Sequence, residues 1–289
     1  MTKRSSLMDR RALFSSAAAA ALLAATGVSA AGAPQRGGRL RMALSGALRS
    51  DTWHRGDGLF MQVARQGLVF DALTEVAADG TLRGELATVW TASEDARRWV
   101  FDLREGVVFH DGSPFTAADV VASAQGFEDG AVEATGSHQV TFVLDHPDPK
   151  LPLRFSQPEY YIVAAHAPDR GIGTGLYRVK SFTPGQRLLT ERVAAHYKDG
   201  NAGWFDEVEL TSIPAERVRG QALAEYMVDA VDLRDVGELA ELPDITFLPN
   251  RRAPSQAVSS DVAQPKVVSD LRPLDNLRAA ERWWFEDKT

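Results

Sequence analysis

Three features of the chain predict an α/β fold. Short runs with a two-residue apolar period recur along it, at Arg39–Leu44, Trp99–Leu103, His138–Leu144, Gln186–Arg192 and Trp204–Ile213. Helically spaced apolar segments, Phe60–Leu73 and Pro214–Met227, lie between them. The densest stretch, Trp99–Val121, reads as strand, turn, strand, turn and capped helix in quick succession, which marks a folded module. With 289 residues, 44% of them hydrophobic and 25% charged, the chain is long enough for one large domain or two small ones.

Each element has its own local cause. After Arg36-Gly37-Gly38 the chain alternates into a strand ending at Leu44. Phe60, Val63, Ala64, Gly67 and Leu68 then share a helical face, and Phe70–Glu75 leads to a hairpin whose Asp79-Gly80 is a strong turn signal. Glu85–Trp90 forms the next element, before an acidic turn at Ser93-Glu94-Asp95. In the dense stretch, Trp99, Phe101 and Leu103 face one way. Glu105-Gly106 turns the chain, Val107-Val108-Phe109 is a second short strand, and His110-Asp111-Gly112 breaks it. Thr116 stands three residues before Asp119, a capping box opening a helix with Val120, Val121, Ala124 and Phe127 on one face. Downstream, Pro184-Gly185 is a turn between two strands. Pro214 starts a helix reaching Met227, with Val218, Ala222, Leu223 and Tyr226 on its apolar face, and Val228–Leu233 follows as a short strand. Residues 249–273, rich in Pro, Ser and Ala, read as a linker, and 274–289 as an aromatic-ended amphipathic segment.

Residues 1–30 read as a targeting segment, with Lys3, Arg4, Arg10 and Arg11 as the basic region and Ala17–Ala25 as a short apolar one. The small residues Val28-Ser29-Ala30 suit a signal peptidase. Arg10-Arg11 followed by Leu13-Phe14 resembles a twin-arginine export signal, with Asp9 where Ser or Thr is usual; a general secretory signal is the alternative. Either route implies the periplasm. Removing this segment changes the net charge from −7 to −10, which argues against nucleic acid and anionic lipid as partners. The absence of cysteine excludes disulfides, thiolate metal sites, a cysteine nucleophile and a lipidated cysteine, so a soluble, unanchored protein is expected.

The string from Trp99 to Val120 closely resembles a signature of the peptide/nickel family (family 5) of periplasmic solute-binding proteins, the receptors of ABC importers. The matching positions are Trp99, Phe101, Leu103, Arg104, Gly106, Val107, Phe109, His110, Asp111, Gly112, Pro114, Phe115, Thr116, Asp119 and Val120. A second signature is matched by Gly173, Thr174, Gly175 and Tyr177, with Leu176 in place of the family's proline. The resemblance runs from Met42 to about Leu233. It implies a periplasmic-binding-protein type II-like lobe with a mixed sheet, over residues 31–248. It also implies that the second lobe is missing, with 249–273 a linker in its place and 274–289 docking back on lobe I.

Few residues suggest chemistry. His110-Asp111 reads as a hydrogen-bonded turn rather than a catalytic pair, since no serine nearby has the elbow of a hydrolase. The histidines at 54, 110, 138, 146, 166 and 196 lack metal-ligand spacing, and no cofactor is expected. Gly171–Gly175 precedes a strand and lacks the Lys-Ser/Thr of a phosphate loop. Asp51, Trp53 and His54, after the first strand, are the candidate solute contacts, Trp53 as an apolar wall and Asp51 as a partner for an amine. The resemblance implies a non-enzymatic receptor for a peptide or peptide-like solute, working with an ABC permease and its ATPase. The alternative is a degenerate single-lobe binding or scaffold protein that associates with itself or with a partner replacing lobe II.

Overall fold

The computed structural model describes residues 36–76, 81–157, 159–200, 202–235, 237–242, 245–248 and 255–259. The targeting segment 1–30, with Arg10 and Arg11, the hairpin tip 78–80 and the terminal segment 274–289 lie outside the described residues.

A seven-stranded sheet organises the molecule. Its strands are β1 (Arg39–Leu44), β8 (Tyr177–Thr183), β9 (Arg187–Arg192), β10 (Glu207–Ser212), β11 (Ala230–Leu233), β12 (Ile245–Leu248) and β13 (Ser255–Ser259), in the order β12-β13-β11-β1-β10-β9-β8. The sheet is mixed: β1 runs parallel to β10 and β11, and the remaining pairs are antiparallel. A four-stranded antiparallel sheet stands beside it, ordered β4-β5-β7-β6, from β4 (Ala87–Ala92), β5 (Arg98–Leu103), β6 (Gly130–Gly136) and β7 (Gln139–Leu144). β2 (Thr74–Val76) and β3 (Leu82–Gly84) make the expected hairpin between them.

One face of the large sheet buries Leu40, Met42, Leu44, Leu188, Val208 and Leu210 beneath α1 (Leu59–Gln62). That helix widens into a π turn over Val63–Val69, closed by the Phe70 N–H donating to Arg65 O at 2.7 Å. The opposite face packs Ala43, Val231 and Leu233 under Ala222 and Leu223 of α4 (Glu216–Ala224). The small sheet holds its own aromatic core, in which Phe101, Phe142 and Phe155 meet at ring distances of 4.7 to 5.5 Å. It is covered by α2 (Ala117–Ser123) and α3 (Leu151–Arg154).

Period 2 in β5 is realised as predicted, with Trp99, Phe101 and Leu103 buried and Asp102 exposed. The Asp119 carboxylate takes the Thr116 N–H at 2.8 Å and the Thr116 Oγ1 hydrogen at 3.0 Å, capping α2 as expected. The Pro184-Gly185 turn is closed by Gln186 N–H to Thr183 O at 3.0 Å, with Gly185 at φ 74° as a type II turn requires.

Four expectations are corrected. Val107–Phe109 is not a strand: only Val108 bridges to Pro114, because the Gly112 turn folds the segment onto itself through Phe109 N–H to Ser113 O at 2.8 Å. α2 ends at Ser123, so Phe127 lies beyond it, where its ring meets Phe142. The helix after Pro214 spans only Glu216–Ala224. Its buried residues are Arg219, Gly220, Ala222 and Leu223, while Val218 is exposed, because side-chain hydrogen bonds of Arg219 fix its orientation; Tyr226, exposed too, lies past the helix end at φ 57°. The stretch read as a linker contains β13, which pairs with both β11 and β12. β6, mostly exposed and without a clear apolar period, gave no signal in the sequence.

Candidate functional site

Ligand sites in open α/β sheets collect outside the carboxyl ends of parallel strands, where the connections diverge. Here that place is the end of β1. Its chain leaves through Ser45–Gly58 to α1, whereas β10 leaves through α4 to reach β11 on the other side of β1.

Two buried residues fasten this rim. Asp232, 1% exposed, accepts the Ser45 N–H at 2.9 Å, the Ser45 Oγ hydrogen at 2.6 Å and Arg219 Nη2 at 3.1 Å. Arg219 also donates to Asp232 O at 2.9 Å, Ile213 O at 2.7 Å and Pro214 O at 3.0 Å. The ends of β1, β10 and β11 are thus tied to one guanidinium–carboxylate pair. The sequence signal was an aspartate inside the apolar run Ala230-Val231-Asp232-Leu233, where a buried polar group needs a partner.

The loop after β1 is braced from below. From the π turn, Arg65 donates to the carbonyls of Thr52, Arg55 and Gly56. Gly185 presses against the backbone at Leu48-Arg49, where a side-chain carbon would come within 2.7 Å of Arg49 N. Of the three predicted contacts, only His54 faces solvent, with Nε2 3.0 Å from Asp169 Oδ1. Asp51 is buried and its carboxylate takes the Leu48 N–H at 2.7 Å, so it clamps the loop. Trp53 is buried, with its ring 4.9 Å from Phe182 and edge-on to Phe70 at 5.7 Å, and its carbonyl accepts the Tyr161 hydroxyl at 2.7 Å. The loop instead offers solvent Leu48, Arg49, Thr52, His54 and Arg55.

The two sequence signatures touch. His110 N–H donates to Gly173 O at 2.9 Å and its Nε2 donates to Gly175 O at 2.8 Å. Burial pushes the His110 imidazole below its ordinary pKa, favouring the neutral ring that this arrangement uses. Asp111 takes the Ser113 hydroxyl at 2.7 Å and the Ser113 N–H at 3.0 Å, with His166 Nε2 at 2.8 Å; these bonds bring its carboxyl down to about 2. Gly173 and Gly175 lie directly on the π turn, where a side-chain carbon would come within 1.9 Å of Val69 O and 2.4 Å of Leu68 O respectively.

A buried charge cluster occupies the junction between the two sheets. Lys198 Nζ lies 2.8 Å from Asp71 Oδ1 and 3.6 Å from Glu75, and donates a short hydrogen bond to Glu85. Glu85 also accepts the Ala72 N–H at 2.7 Å, and Thr174 Oγ1 donates to Asp71 at 3.0 Å. His196 Nε2 donates to Thr174 O at 2.9 Å while its Nδ1 accepts the Lys198 N–H. Burial alone would raise the Asp71 carboxyl; the Lys198 ammonium and His196 outweigh it and hold it well below the usual range. Among the described residues, no group of three or more His, Asp and Glu side chains is arranged to hold a metal ion.

The sequence from residue 81 to 260 matches the profile of the family described as "Bacterial extracellular solute-binding proteins, family 5 Middle". The chain belongs to this family. Among family 5 relatives, it is 28% identical over 203 residues to the "Probable D,D-dipeptide-binding periplasmic protein DdpA" of Escherichia coli (strain K12), covering 60% of this chain and 39% of that one. It is 33% identical over 164 residues to the "Probable di/tripeptide-binding protein 5" of Pseudomonas aeruginosa, covering 42% and 31%. Among solved structures, the binding protein AgaA of A. tumefaciens R10 with agropinic acid superimposes with a TM-score of 0.66 at 25% identity, over 74% of this chain and 48% of that one. DppA of Helicobacter pylori with the peptide STSA gives 0.63 at 20% identity, over 74% and 50%. The fold is therefore the α/β, mixed-sheet architecture of periplasmic binding proteins of type II, and the chain spans at most about half the length of these relatives. The family is one of binding proteins that serve ABC transporters for peptides or nickel. Among the described residues no helix is long and apolar enough to cross a membrane.

Proposed function

We propose that the chain is a periplasmic receptor that captures a peptide or peptide-like solute at the carboxyl rim of its large sheet and presents it to an ABC permease and its ATPase. The observation that carries this reading is the braced loop after β1. Arg65, Asp51 and the Gly185 turn fix its backbone, so Leu48, Arg49, His54 and Arg55 are held ready at the one place where parallel strand ends converge. An apolar side chain flanked by guanidinium groups suits a solute with an apolar body and a carboxylate. In a two-lobe clamp, such a rim supplies one half of the contacts, and solute acts by favouring the closed state.

Titration of the exported protein with di- and tripeptides, followed by its melting temperature, tests the reading. A solute that binds only the folded form stabilises it by about 2.7 kcal/mol at a concentration one hundred times its dissociation constant. Saturable stabilisation that weakens on replacing Arg49 and Arg55 with alanine is the expected result. No shift with any peptide, together with a self-association or a stable protein partner in size-exclusion runs, would overturn it in favour of a single-lobe scaffold.

A further inference from the structure

The small sheet carries a cavity that lies apart from the rim. It measures about 360 Å³, within the range of small-molecule sites, and lies between α2, the end of β7 and the segment around Tyr160. Its walls are aromatic: Phe142 and Phe155 pack at 4.7 Å, Phe127 meets Phe142 at 5.5 Å, and Tyr160 meets Phe155 at 5.4 Å. Val120 and Ala124 of the α2 side complete it.

The charge at its mouth is mainly negative. Glu128 and Asp129 line it and are exposed. The nearby cation, Arg154, is held by Asp129 at 2.5 Å and Asp148 at 2.8 Å, which leaves the mouth net negative. The guanidinium also lies 5.8 Å from the Phe127 ring and 5.9 Å from the Tyr160 ring, so these two faces are taken by the chain's own cation. An apolar, aromatic interior and a negative mouth together define a ligand with an aromatic or aliphatic body and one ammonium group.

We infer that this cavity is a second ligand site, complete within the described lobe, for a small aromatic or aliphatic amine. It is independent of the rim, although Tyr161, on its wall, donates to Trp53 O and so joins it to the braced loop.

Calorimetric titration of the exported chain with 2-phenylethylamine, 2-phenylethanol and phenylacetate tests the inference. The amine is expected to bind saturably, the alcohol more weakly, and the anion not at all. Glu128→Gln should weaken the amine about two- to five-fold, the range of an exposed ion pair. Ala124→Trp should fill the cavity and abolish binding without lowering the melting temperature; if that variant does not fold, Glu128→Gln and the probe series decide. Arg49→Ala and Arg55→Ala should leave amine binding unchanged, which separates this site from the rim. Absence of saturable amine binding, equal binding of phenylacetate, or full binding by a folded Ala124→Trp protein would overturn it.

Discussion

On the outer face of the large sheet, Arg39, Lys180 and Arg187 alternate with Glu207 and Glu209 in a ladder of ion pairs at 2.5 to 3.1 Å. At the junction of the two sheets, one lysine, Lys198, faces three carboxylates, and its side chain is 8% exposed. The ladder pairs more charges at similar distances, yet water screens them and long side chains lose entropy in forming them. At the junction each charge has already left water, so removing a partner leaves a buried charge with much of its compensation gone. Burial, not the number of pairs, decides what each set contributes.

The largest expected effect is therefore at Lys198. Lys198→Met should cost about 3–5 kcal/mol in urea unfolding at pH 7, because Asp71 and Glu85 would remain buried and opposed. A loss below about 1 kcal/mol would break the comparison. Its pH dependence sharpens it. In the parent, the Asp71 carboxyl sits below its unfolded value, so its contribution is fully present above about pH 4 and is lost as the pH falls through the folded value. In Lys198→Met the crowded carboxylates prefer to be protonated, so stability should rise between pH 7 and pH 5, a reversal that melting curves would register.

Next in size is Gly175→Ala. It places a carbon 2.4 Å from Leu68 O, a clash on fixed backbone worth about 1–3 kcal/mol. Smaller still is Asp111→Asn. The Asp111 carboxyl is held at about 2 against an ordinary 3.8, so the parent should lose this contribution between about pH 4 and pH 2, and the variant should show a shallower acid limb there. The smallest change belongs to the ladder: Glu207→Gln should leave the urea midpoint almost unmoved, and less moved still in added salt.

The two kinds of feature also differ in how far the sequence reveals them. Trp99, Phe101 and Leu103 could be assigned to one face because a strand's period is local, and the Thr116–Asp119 cap because its partners are three residues apart. The faces of α4 could not, since Val218 has the right spacing but side-chain bonds of Arg219 set the rotation, and the helix ends before Tyr226. Asp51 and Trp53 have chemistry suited to a ligand, and only the fold shows that a turn amide and an aromatic core occupy them. The junction cluster was invisible for a plainer reason: Lys198 lies 127 positions from Asp71 and 113 from Glu85. No local period connects such residues.

The central position of β1 has a consequence for the order of assembly. It precedes both of its register partners in the chain, Glu207–Ser212 on one side and Ala230–Val231 on the other. Until those strands exist, Leu40, Met42 and Leu44 have no sheet to join, and the loop that forms the rim has no floor. Loop-closure entropy over such separations slows folding. The small sheet, whose strands all lie between residues 87 and 144, is free to form well before. The chain is thus expected to pass through a stage in which its smaller sheet is folded and the rim of its larger sheet is still unmade.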